Sequence, residues 1–104
     1  MEKNLQMIRG DTLAFGLEFE GLEQDLDSAY FTVKQSYDSQ SYVIRKSIGS
    51  GITKISTGKY RVRVAPADTV SVTPGAYYYD CEVNVNNDTF TLLYGVLNIL
   101  PDVS

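Results

Sequence analysis

The sequence predicts an all-β fold: one antiparallel Ig-like β-sandwich of about seven to eight strands, in a single domain spanning residues 1–104. Three observations predict it. Short runs with period-two hydrophobicity recur at regular spacing along the chain. Clusters of Gly, Pro, Asn, Asp and Ser separate those runs. No segment carries a sustained helical period, so the even spacing favours a sandwich over a closed barrel.

The elements follow in order. Asn4 to Arg9 reads as a first strand with Leu5 and Met7 on one side, and Gly10-Asp11 as a turn. Thr12 to Glu20 alternates most cleanly, with Leu13, Phe15, Leu17 and Phe19 inward. Gly21 to Asp27 is an acid-rich loop that Leu22 and Leu26 are expected to pin to the core edge. Ala29 to Gln35 turns Ala29, Phe31 and Val33 inward, and a polar tip follows at 36–41. Tyr42, Ile44 and Ile48 define one face of the next strand. Lys46 interrupts that face, which predicts an edge strand, where an inward lysine discourages stray pairing.

Gly49-Ser50-Gly51 is a turn, and Ile52 and Ile55 begin a short apolar piece ending at Thr57-Gly58. Lys59 to Ala65 alternates again, with Tyr60, Val62 and Val64 inward and Lys59, Arg61 and Arg63 outward. Proline cannot sustain a ladder, so Pro66 to Thr69 is expected to form one helical turn across the end of the sandwich. Pro74-Gly75 is expected to make a type II turn, with Gly75 at positive φ. The spine follows: Tyr77, Tyr79, Cys81, Val83 and Val85 inward, and Tyr78, Asp80, Glu82 and Asn84 outward. Asn86-Asn87-Asp88 is a hairpin loop of residues that tolerate left-handed conformations. The last strand runs from Thr89 to Leu100, with a bulge expected near Gly95. Beyond it either Leu97 and Ile99 or Val96 and Leu100 face the core.

Composition narrows function. The net charge is −4 and there is no histidine, which removes the commonest general base and metal ligand. Cys81 is the sole cysteine, expected as a buried thiol. No catalytic set converges, so the chain is expected not to be an enzyme and to take no cofactor or metal. Asp25 and Asp27 have a spacing too generic to mark a calcium site. No stretch is long and apolar enough for a membrane span, and the acidic balance argues against nucleic acid as a partner.

Charge is segregated: residues 1–27 carry −5, residues 28–63 carry +6 and the remainder −5. The Lys59, Arg61, Arg63 row is read as an interaction surface for an acidic patch, with cross-strand pairing to Asp80 and Glu82 as the alternative. Either Tyr77 or Tyr79 is expected to act as a tyrosine corner, its hydroxyl bonding back to upstream backbone near Asp68.

An ordered set of phrases resembles the small Ig-like structural proteins of phage tails and baseplates, including the N-terminal module of the upper-baseplate family in phages of Gram-positive bacteria. The phrases are Ile8-Arg9-Gly10-Asp11-Thr12, Tyr30-Phe31-Thr32-Val33-Lys34, Ala65-Pro66-Ala67-Asp68-Thr69, Pro74 to Asp80, and Thr91 to Ile99. The resemblance implies a virion or prophage structural protein that docks onto other tail or baseplate proteins, with homo-oligomers possible. It would be assembled in the host cytoplasm and then carried in the virion. The alternative function is a stand-alone carbohydrate-binding or adhesive sandwich that uses Tyr30, Tyr37 and Tyr78 as platforms.

Overall fold

The computed structural model describes residues 2–19 and 24–103. In chain order the elements are β1 (Leu5–Ile8), β2 (Leu13–Glu18), β3 (Ser28–Lys34), β4 (Ile44–Ile48), β5 (Gly51–Ser56), β6 (Lys59–Val64), the one-turn α1 (Pro66–Thr69), β7 (Gly75–Val85) and β8 (Asp88–Leu100). Hydrogen bonding links all eight strands in the order β1-β8-β7-β3-β4-β5-β6-β2.

That order folds over on itself. Phe15 of β2, the last strand, meets Phe31 of β3 edge to face with ring centroids 5.5 Å apart. Laid flat, strands about 4.8 Å apart would hold these two roughly 19 Å from each other. The fold line is the junction of β4 and β5, which share only the rungs Ser47↔Gly51 and Ile48↔Ile52. Gly49 and Gly51, at φ of 87° and 102°, let the backbone make a tight loop there and run on in the same direction. One layer is therefore β1-β8-β7-β3-β4, the other β5-β6-β2, and the core lies between them. Phe31, Val33, Ile52, Val62, Val64 and Leu97 are fully enclosed in it.

The inward sets on β3, β6 and β7 are those the alternation predicts. Two pairings are parallel, β1 with β8 and β4 with β5, which local alternation does not reveal. β4 is not an edge: it lies between β3 and β5, and the edges are β1 and β2. Of its supposed inner face only Ile44 is buried; Tyr42 and Ile48 are 55% and 40% exposed. Lys46 does turn inward, where its ammonium meets the Asp68 carboxylate at 2.8 Å. The same carboxylate accepts the Ala65 N–H at 2.6 Å, tying the start of α1 to β4.

Pro74-Gly75 does not form a type II turn. Gly75 has φ 156°, far from the roughly +80° such a turn needs, and already pairs with Ile99 as a strand residue. The chain turns earlier, where the Val72 N–H donates to the Thr69 carbonyl. The bulge in β8 lies at Leu92, where Cys81 pairs with Leu93 but Glu82 pairs with Thr91. Gly95 has another role: a Cβ there would collide with the Lys3 carbonyl, so glycine admits the segment leading into β1. Past the bulge, Leu97 and Ile99 take the core. Asn86 and Asn87, at φ 54° and 67°, form a two-residue hairpin turn of the mirror-image type I kind. Leu26 is buried and its N–H donates to the Tyr60 hydroxyl at 3.0 Å, whereas Glu20 and Leu22 lie outside the described residues.

Candidate functional site: a tyrosine-rich outer face

The layer containing β4, β3, β7 and β8 has one face in the core and one outside. Period two puts Tyr78, Asp80 and Glu82 of β7 outward, and the register lines them up with their neighbours. Thr32, Asp80 and Tyr94 share one rung across β3, β7 and β8, and Arg45 of β4 extends it. Lys34 lies opposite Tyr78, and Tyr30 opposite Glu82. The loop after β3 folds Tyr37 back so that its ring stacks on Tyr78, centroids 4.2 Å apart and 35° between planes. On the other side the Arg45 guanidinium lies 4.4 Å from the Tyr30 ring centre and 5.7 Å from that of Tyr42, a cation–π arrangement.

Five of the eight tyrosines thus share one outer face with two cations and two carboxylates. Two shallow hollows open on it. One, of about 240 Å³, lies among Lys34, Tyr37, Tyr78 and Tyr94. The other, of about 270 Å³, lies among Tyr30, Tyr42, Arg45 and Glu82. Asp80 borders both. Its half-buried position pushes its carboxyl above the ordinary carboxylate range, while Lys34 and Arg45 pull it back.

Sequence alone singled out Tyr30, Tyr37 and Tyr78 and missed Tyr42 and Tyr94. The alternation puts Tyr42 inward with Ile44, but it sits just ahead of β4 with the Arg45 guanidinium over its ring. Tyr94 needed the bulge at Leu92 to be placed, because that extra residue sets which side chains of β8 face out.

Tyr77 and Tyr79 do different jobs. The Tyr77 hydroxyl donates to the Thr73 carbonyl, closing the corner just upstream of its own strand, with Asp68 occupied elsewhere. The Tyr79 hydroxyl donates to the Lys3 carbonyl and so clamps the segment before β1. Burial, with Cys81 beside it, pushes the Tyr79 hydroxyl up to about 12. Burial likewise pushes the Cys81 thiol up to about 12, which keeps it protonated and inert at neutral pH.

Lys59, Arg61 and Arg63 stand in a row on the outside of β6, in the other layer. The proposed pairing with Asp80 and Glu82 does not occur, because those carboxylates face away on the opposite side of the sandwich. Lys59 approaches Glu18 at 3.5 Å, with both groups largely in solvent. Arg61 and Arg63 have no carboxylate within ion-pair distance among the described residues. Asp25 pairs with Lys54 at 2.6 Å, and Asp27 accepts the Asn86 N–H at 3.1 Å, so each aspartate already has a partner.

No protein-family model and no curated protein matches the sequence. Solved structures do match in shape. A putative glycoside hydrolase from Bacteroides vulgatus superposes on 95% of this chain with a TM-score of 0.53 and 13% identity. The chain spans only 17% of that enzyme's length. The extracellular domain of the voltage-gated sodium channel β4 subunit superposes on 98% of this chain and 93% of its own, with a TM-score of 0.51 and 13% identity. At such identity the likeness shows the fold alone, an Ig-like sandwich.

Proposed function

We propose that this chain is a non-enzymatic docking module, a small structural subunit of a phage tail or baseplate that binds its neighbours in the virion. The observation that carries the reading is the outer face of β4-β3-β7-β8. Tyrosine supplies large contact area at low entropic cost and is enriched at protein interfaces. The five on this face are interleaved with charges of both signs, which set register and exclude wrong partners. The resemblance of the ordered phrases to tail and baseplate modules supports that class of partner. Assembly in the host cytoplasm and residence in the virion follow from that class.

Co-expression with the products of the adjacent genes tests this. The chain is expected to co-elute with a tail or baseplate protein, and the pair Tyr37→Ser and Tyr78→Ser is expected to weaken that complex about a hundredfold, as loss of two central anchors does. Co-elution that survives the double change would move the docking surface elsewhere.

One observation favours a second reading, glycan binding. The hollow among Tyr37, Tyr78 and Tyr94 has ring faces beside Asp80 and Lys34, a pairing of platform and hydrogen-bonding groups that suits a sugar. The superposable structures include part of a putative glycoside hydrolase and a domain described in terms of cell–cell adhesion. Retention on a glycan array, lost in the same double variant, together with no co-elution, would favour this reading over docking.

A further inference from the structure

The row of cations on β6 lies next to an open sheet edge, and the two together describe a binding site. β2 ends the strand order and pairs only with β6 among the described residues. The Phe19 N–H donates to the Gly58 carbonyl at 2.8 Å, which continues the β2–β6 ladder. In an antiparallel pair, hydrogen-bonded residues alternate with residues whose backbone groups point the other way. The odd-numbered residues of β2 therefore bond to β6, and the N–H and C=O groups of Ala14, Gly16 and Glu18 point out along the free edge. Among the described residues no proline, lysine or bulge protects that edge, and the one charged side chain on β2 is Glu18 at its end.

The side chains beside this edge are unusual in one respect. Arg63 is directly opposite Ala14, and Arg61 directly opposite Gly16. With only a methyl group and a hydrogen directly opposite them on β2, and Glu18 one rung away beside Lys59, the two guanidinium groups can reach over that strand to whatever lies beyond it. A trough of about 600 Å³ runs over Ala14 and Gly16, walled by Ile55, Lys59 and Arg61. On the inner side, Leu13 and Phe15 pack against the core but are only partly buried, and offer an apolar shoulder.

We infer that the free edge of β2 accepts an extended acidic segment of a partner protein, added as a further strand. Its backbone pairs with Ala14, Gly16 and Glu18. Carboxylates two residues apart on its outward side meet Arg61 and Arg63, and apolar residues between them cover Leu13 and Phe15. The acidic character follows from charge complementarity, since neither arginine has a carboxylate partner among the described residues. Backbone pairing with alternate side-chain reading is the general mode of strand addition to a sheet edge. This edge belongs to the layer opposite the tyrosine face and stands whether or not that face docks.

The test is an NMR titration of the whole chain with a synthetic peptide of alternating Val and Glu, about ten residues long, the usual upper length of a strand. Shifts are expected at the Ala14, Gly16 and Glu18 amides. Affinity is expected to fall about tenfold when Arg61→Gln and Arg63→Gln are combined, the factor that corresponds to about 1.4 kcal/mol. Gly16→Pro removes an edge N–H without touching the β6 ladder and is expected to abolish binding. Should that variant fail to fold, the arginine pair decides alone. Tyr78→Ser is expected to leave the titration unchanged. Equal affinity for a Val-Lys peptide, undiminished binding by the arginine double variant or a folded Gly16→Pro, or loss of binding in Tyr78→Ser would each overturn the inference. So would concentration-dependent dimerisation that buries the same amides, because a second copy would then own the edge.

Discussion

At the scale of single residues, the two inward tyrosines of β7 show how one side-chain type serves two structural ends. Both rings are nearly fully enclosed, yet each hydroxyl reaches a backbone carbonyl that no strand satisfies. Tyr77 closes a local corner, and Tyr79 ties Lys3 to the middle of the fold. Replacing either by Phe keeps the packing and leaves a carbonyl short of a partner, at a cost of about 1 kcal/mol. Thermal melts of Tyr77→Phe and Tyr79→Phe should both show the loss. Only the second should also speed amide exchange at Lys3, whose N–H donates to the Tyr94 carbonyl at 2.9 Å. The chain order Tyr-x-Tyr identified both as corner candidates, but nothing local distinguishes a bond four residues back from one that spans most of the chain.

At the scale of elements, what could be read from the sequence is what depends on near neighbours. The alternation of β3, β6 and β7, the one-turn α1 and the Asn86-Asn87 hairpin all follow from local rules. What failed depends on distant pairing. Lys46 pointed inward as expected, but as half of an ion pair with Asp68 rather than as an edge guard, because the strand beyond it comes from the other layer. Gly95 was correctly marked as special for the wrong reason. Its hydrogen faces the Lys3 carbonyl, and a methyl group there must push the segment before β1 away. Gly95→Ala should therefore cost about 1–3 kcal/mol, as overpacking does, and detach β1 preferentially. Early exchange at the Lys3 and Arg9 amides, ahead of those in β3, would show this; uniform destabilisation would contradict it. The outer tyrosine face was half legible for the same reason, since Tyr94 can be assigned to a side only once the Leu92 bulge is known.

At the scale of the whole molecule, the fold neutralises part of the segregated charge, through Lys46–Asp68, Lys54–Asp25 and Lys59–Glu18, and leaves part of it apart. The basic middle third supplies β6, whose outward arginines stay clear of the acidic outward positions of β7, because the two layers turn those faces in opposite directions. Outside the basic block, the Arg9 guanidinium holds Asp102 at 2.7 Å, which keeps that carboxyl below its ordinary range and fastens the end of β1 beside the end of β8. The parallel run of β1 along β8, from Leu5↔Leu97 to Ile8↔Leu100, has a mechanical consequence. The chain enters this pair at one end of the molecule and leaves it at the other. A stretching force applied through Glu2 and Val103 drags the two strands past each other lengthwise, so their rungs share the load and must fail together. Force applied across Thr73 and Pro101, at the open end of the β7–β8 hairpin, opens its rungs one after another. Single-molecule pulling along the first pair of attachment points should need the higher rupture force, and a lower one would mean that β1 bears no tension.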